Sequence, residues 1–141
     1  MGKVEESNLW AYIPLVNETS RSDRTHEIIG CALAVHQELG PGLLESSYEM
    51  ALKRELELAG MACRRQVEVP LHYKGAYLDC GYRIDLLVEE SVIVEIKAIE
   101  GLKPIHEAQL ISYMKLSGKK VGLLINFHVT LLRHGIRRFV I

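Results

Sequence analysis

Glu95-Ile96-Lys97 places an acid and a base two residues apart in a run, 92–99, that is otherwise apolar. Side chains at i and i+2 of a strand share a face, so Glu95 and Lys97 project together. Burying a charge costs several kcal/mol per ion after relaxation, and a contact between the two could offset that. Tyr82-Arg83-Ile84-Asp85-Leu86-Leu87-Val88 argues for more. Glu89-Glu90-Ser91 reads as a hairpin loop, and a three-residue loop sets Val88 opposite Val92 and Asp85 opposite Glu95. A two-residue loop shifts the pairing by one and still leaves the acids close. Opposed residues on antiparallel strands hold their Cβ atoms about 4.5–5.5 Å apart, where like charges destabilise. Two facing carboxylates invite a cation, either Lys97 or a hard divalent ion. Mg²⁺ is commonly held by one or two carboxylates, waters and substrate phosphate.

The elements around this pair follow from periodicity. Ile28, Ala32, Val35 and Leu39 recur at helical spacing from Thr25, and Gly40-Pro41-Gly42 ends that helix. A second helix is predicted over 43–59, closed by Gly60. Its apolar arc is Leu44, Tyr48, Leu52, Leu56 and Ala59. Glu45 and Glu55 fall inside the arc and Glu49 at its edge. Glu45 could instead favour the helix dipole in the first turn. Strands are predicted over 66–73, 76–88, 92–99 and 121–127, with Lys74-Gly75 as a turn and an irregularity near Gly81. Pro104 precedes a helix over 105–116, ended by Gly118. Residues 130–141 supply a last strand or hairpin turning near His134-Gly135. The third helix carries His106, Gln109 and Tyr113 on one face. His106 reads as a solvated helix-start residue, and Gln109 and Tyr113 could reach a phosphate or a water. The order α, α, β, β, β, α, β, β makes an α/β sheet with a helical crossover.

The 141 residues fit one domain, with 48% hydrophobic and 25% charged residues, a mix that excludes a disordered chain. No apolar run approaches the roughly 20 residues of a membrane span, and the charged start lacks a signal-peptide core. Cys31, Cys63 and Cys80 show no zinc-ligand spacing and read as reduced thiols of a cytoplasmic protein. Net charge is −1, so nucleic-acid binding would rest on a local patch rather than overall charge. Arg64-Arg65, Lys119-Lys120, Arg133 and Arg137-Arg138 are the basic clusters, read mostly as solvated surface. Residues 1–24 form an N-terminal extension whose Leu9, Trp10, Tyr12, Ile13, Leu15 and Val16 could add an edge strand, an arm on a partner, or a segment packed on its own domain.

These blocks, in order, resemble the PD-(D/E)XK nuclease superfamily and, more narrowly, its GxxExxR protein family. The carrying residues are Gly40-Pro41-Gly42-Leu43-Leu44-Glu45 with Tyr48-Glu49, Tyr82 through Val88, and Val94-Glu95-Ile96-Lys97-Ala98. His106-Glu107-Ala108-Gln109-Leu110 with Tyr113, and Gly122-Leu123-Leu124-Ile125-Asn126-Phe127, complete the set. Ile84 stands where the superfamily name has proline, and Tyr48 where the family label has arginine.

The resemblance covers residues 25–141 and implies a restriction-endonuclease-like core, a central mixed β-sheet flanked by helices. It implies that Asp85, Glu95 and the Ile96 carbonyl bind Mg²⁺ or Mn²⁺, with Glu45 acting through water or on a second metal. Lys97 would orient the attacking water and Gln109 would place the water or the phosphate. The implied activity is metal-dependent hydrolysis of nucleic acid, DNA in the first instance. The alternatives are a non-catalytic nucleic-acid-binding module and a homodimeric interaction protein keeping the nuclease fold.

Overall fold

A strand apolar on both faces needs cover on both. The computed structural model describes residues 3–5 and 23–141 and shows how that cover is supplied. The elements are β1 (Lys3–Glu5), α1 (Thr25–Leu39), α2 (Glu45–Leu58), β2 (Cys63–Glu68), β3 (Leu71–Tyr73), β4 (Ala76–Leu78), β5 (Arg83–Val88) and β6 (Val92–Lys97). They continue with α3 (Pro104–Ser117), β7 (Val121–Asn126), a 3-10 turn (Leu132–Gly135) and β8 (Ile136–Val140). The main sheet has the order β1-β8-β7-β6-β5-β2. Only β6 and β7 run parallel, joined by α3; the other neighbours are antiparallel. This is the expected α/β architecture with a mixed sheet between helices.

Two cores lie on opposite sheet faces. Ile28, Ala32 and Val35 of α1 and Tyr48, Leu52 and Leu56 of α2 pack on Val92, Val94 and Ile96. Leu110, Tyr113 and Met114 of α3 pack on Leu87, Ile93 and Leu124. Each such aliphatic side chain contributes about 1.5–3 kcal/mol on full burial. Alternation along β6 therefore sends 92, 94 and 96 towards α1 and α2. Ile93 faces α3, and Glu95 and Lys97 share its parity. Gly122 lets α3 lie close: a Cβ there would sit 2.8 Å from the Met114 sulfur.

The ends of the helices match expectation. Pro104 opens α3 and Gly118 closes it in the left-handed conformation. Tyr48, fully buried, stacks on Phe127 at 4.4 Å between ring centroids. Its hydroxyl donates to the Gly40 carbonyl and accepts the Leu43 N–H, pinning the loop before α2. Tyr48 is thus a buried clamp between α2 and the loop before it.

Two predicted strands are broken in the structure. The 66–73 segment divides into β2 and β3 around Pro70, which has no N–H to give a ladder. The 76–88 segment divides into β4 and β5 before Arg83, with Gly81 at a φ of 74°. β3 and β4 form a separate two-stranded hairpin, turning at Lys74 and Gly75 with both φ values positive, as a tight hairpin turn requires. The apolar stretch 9–16 lies outside the described residues. β1, from the same extension, pairs with β8 at the sheet edge.

Gly135 is the tightest point near β7, because a Cβ there would collide with the Asn126 carbonyl oxygen. Gly135→Ala should therefore cost about 1–3 kcal/mol, as overpacking does, read as a lower midpoint in denaturant. An unchanged midpoint would show that the 3-10 turn can shift freely.

Candidate active site

Val88 pairs with Val92 across the loop, as a three-residue connection requires, and the ladder runs on to Leu86 opposite Val94. Glu89 and Glu90 make the turn with positive φ. Beyond Leu86 the next bonds use side chains. The Asp85 N–H donates to Glu95 Oε1 at 3.1 Å, and the Ile96 N–H donates to Asp85 Oδ2 at 2.8 Å. Each carboxyl group thus takes a main-chain donor of the opposite strand, which satisfies the donors and holds the two acids side by side. The inward alternation of β5 also breaks here: Ile84 and Leu87 belong to the α3-side core, Leu86 and Val88 to the other.

Glu95 is 5% exposed. Burial first, and the neighbouring Asp85 charge second, push its carboxyl up to about 9, against a smaller pull from Lys97. No Glu95–Lys97 ion pair forms, and Lys97, partly buried, makes no hydrogen bond among the described residues. Of the two ways of compensating a buried acid, the internal lysine contact is therefore the one not used. The proton is retained instead, and Lys97 is left available to something else.

The acid from α2 that reaches this cluster is Glu49, not Glu45. Glu45 lies exposed in the first turn, with no hydrogen-bond partner among the described residues. That is the dipole-favouring position considered from the sequence. Glu49, one turn on, is 5% exposed. Its Oε2 pairs with Arg65 at 2.7 Å and its Oε1 accepts from Gln66 Nε2 at 2.8 Å. The same Gln66 nitrogen lies 3.4 Å from Asp85 Oδ1. Burial raises the Glu49 carboxyl, Arg65 opposes this, and Asp85 raises it further. Gln66 interrupts the β2–β5 register opposite Asp85 and has a φ of 52°. That is an uncommon left-handed conformation for a non-glycine residue, of the kind found at functional sites.

α3 closes the other side. Gln109 is exposed and donates to the Tyr113 hydroxyl at 3.2 Å. The Tyr113 phenol is raised by burial and then by the Glu95 charge, so α3 borders the carboxylates. His106 stands at the helix start as expected, but partly buried rather than solvated: it accepts the Lys103 N–H at 2.9 Å and caps the helix. Asn126, paired with Lys97 in the parallel register, accepts from the Ile99 N–H and donates to the Ile99 carbonyl, fixing the chain as it leaves the site.

Sequence reasoning gave no place at the site to Arg65, Gln66 and Asn126, and left Glu49 at the edge of the helix arc. A signal existed for Glu49: it stands three residues before Leu52 and seven before Leu56, both buried. The basic clusters mostly face carboxylates. Arg64 pairs with Glu90, Arg137 with Glu107, and the buried Arg138 with Asp23.

Asp85 and Glu95 suit a hard cation: two adjacent oxygen-ligand side chains, one held protonated by its neighbour's charge and by burial, an unfavourable state that a cation would relieve. Among the described residues no three His, Cys, Asp or Glu side chains converge as metal ligands. The arrangement therefore fits Mg²⁺ or Mn²⁺ completed by waters and phosphate oxygens better than a closed four-ligand zinc site. Among the described residues no helix is long and apolar enough to cross a membrane.

A family model described as the PD-(D/E)XK nuclease superfamily matches residues 22–139. The chain belongs to that superfamily, and its mixed sheet between helices is the restriction-endonuclease-like core. Neither the curated proteins nor the solved structures yielded a match.

Proposed function

We propose that this protein is a metal-dependent nuclease hydrolysing phosphodiester bonds, with DNA as its substrate, and that Asp85, Glu95 and Lys97 carry the reaction. The observation behind this reading is the Asp85–Glu95 pair beside an uncommitted Lys97. Asp85, Glu95 and the Ile96 carbonyl would hold Mg²⁺ or Mn²⁺. When bound, the ion supplies Lewis acidity towards the phosphoryl oxygen and lowers the pKa of water. The Lys97 ammonium, with three donors, orients the attacking water and steadies charge growing on the phosphate. Gln109, braced by Tyr113, positions the water or the scissile phosphate. Glu45 lies on the same helix face as Glu49 one turn earlier and would act through water or on a second ion. Gly42-Leu43-Leu44-Glu45 supports membership of the GxxExxR family, with Tyr48 in the last position. The free thiols of Cys31, Cys63 and Cys80 support a cytoplasmic setting.

The test is incubation with plasmid, single-stranded DNA, branched DNA and RNA in Mg²⁺, Mn²⁺ or EDTA. Cleavage should need metal and vanish in folded Glu95→Ala protein. Equal cleavage by wild type and variant would sink the proposal. In the same assay Glu45→Gln should lower the rate without changing stability. Glu49→Gln, which weakens the Arg65 pair but also removes a carboxylate whose charge burial opposes, should change stability by no more than about 1 kcal/mol, because Arg65 is partly exposed.

A further inference from the structure

Beside the carboxylates, α3, the start of β3 and the segment before β5 form an open groove of about 600 Å³, lined among others by Leu71, Tyr82, Ile105, Gln109, Ser112 and Tyr113. That volume lies within the roughly 300–1,000 Å³ of small-molecule sites. The groove is continuous with the site, since Gln109 and Tyr113 border both. Its walls carry aromatic surface: Tyr82 is 41% exposed, and its ring centroid lies 6.0 Å from that of Tyr113, inclined at 49°. Ile105, 68% exposed, extends the apolar wall, and Lys115 adds a cation at the rim.

Part of the basic surface elsewhere is already committed, and the chain as a whole has no excess of positive charge. Lys and Arg number 17 against 18 Asp and Glu. Arg24, Lys53, Arg64, Arg65, Arg137 and Arg138 are already held in ion pairs with carboxylates. Binding through phosphate neutralisation needs a row of available cations. Stacking on aromatic rings needs none, but it needs a base whose face is free, which a base inside a duplex does not offer.

Building on the nuclease reading, we propose that this groove receives an unpaired nucleobase of the substrate, stacked on Tyr82, so that the enzyme acts on single-stranded or flapped strands. The base would enter between Tyr82 and Ile105, with the strand's next phosphate passing Gln109 towards Lys97. Substrate choice would then be set by the groove and chemistry by the carboxylates.

The experiment uses full-length Lys97→Ala protein, which would bind without cutting. Fluorescence anisotropy compares a labelled single strand, a flapped duplex and a blunt duplex of the same sequence, and 2-aminopurine in the strand reports stacking. The single strand and the flap should bind more tightly than the blunt duplex, with 2-aminopurine quenched. Tyr82→Ala should weaken single-strand binding about tenfold, while Tyr82→Phe retains it. Ser112→Leu, at an exposed helix position, should fill the groove and weaken binding even if Tyr82→Ala folds poorly. Equal affinity for blunt duplex and single strand, or indifference to both Tyr82→Ala and Ser112→Leu, overturns the proposal while leaving the nuclease reading intact. Self-association lost in Tyr82→Ala would assign the groove to a second copy of the chain and overturn it equally. Absence of binding to any nucleic acid would overturn the nuclease reading and this one with it.

Discussion

Lys97→Ala should lower metal-dependent cleavage by about 100- to 1,000-fold, the usual cost of removing a donor aimed at developing charge, and leave the fold as stable as before. The second half follows from the first-principles cost of removing an unpartnered side chain. Lys97 makes no hydrogen bond or ion pair among the described residues. Glu95, with its carboxyl raised to about 9, is neutral at pH 7, so no paired charge is lost. Substitutions at such positions usually fall within about 0.5 kcal/mol. Steady-state cleavage and denaturant unfolding on the same preparation decide the matter. A loss of several kcal/mol would make Lys97 a structural residue, and undiminished cleavage would remove it from the reaction.

Glu95→Gln should stabilise the metal-free protein at alkaline pH and abolish its response to Mg²⁺. In the folded chain Glu95 keeps its proton to about 9, against an ordinary value of 4.5. Between those limits the native state binds a proton that the unfolded state has released, so rising pH favours unfolding. The stability tied to this proton is complete below 4.5 and is lost as pH climbs through 9. The slope is at most about 1.4 kcal/mol per pH unit. Glutamine keeps an oxygen for the Asp85 N–H and does not ionise, so in EDTA its stability should lie above that of wild type and depend less on pH. Mg²⁺ bound as proposed would compete with the proton, so the wild type should gain stability in Mg²⁺, by about 2.7 kcal/mol at one hundred times its dissociation constant, and the variant should not. Unfolding at pH 5, 7 and 9 with EDTA or Mg²⁺ tests both halves. Parallel pH profiles for the two proteins would mean that Glu95 does not hold its proton.

The acid and the lysine of β6 were legible because strand alternation is local: Glu95 and Lys97 two apart in an apolar run must share a face. The Asp85 register was legible for a similar reason, since one short hairpin loop sets it and Val88 does pair with Val92. The helix ends at Pro104 and Gly118, and the helical crossover between β6 and β7, needed only backbone chemistry and the order of periods. The α2 acid was not legible. Glu45 and Glu49 share one helical face, and only the docking of α2 on the sheet selects which is buried. Tyr48 fixes that docking by stacking on Phe127 and clamping Gly40 and Leu43, contacts between residues far apart in the chain. Gln66 was hidden for the same reason: its left-handed turn opposite Asp85 is imposed by partners on α2 and β5, not by its neighbours. The division of 76–88 came at Gly81, where an irregularity was expected, whereas that of 66–73 followed from Pro70, a local signal that the apolar pattern outweighed. By itself the sequence determined that Asp85 and Glu95 meet on β5 and β6 with Lys97 two residues on, because period and loop length act over a few residues. Tertiary structure alone decided which acid joins them and left Lys97 without a hydrogen-bond partner among the described residues, because burial and mutual charge exist only once the layers pack.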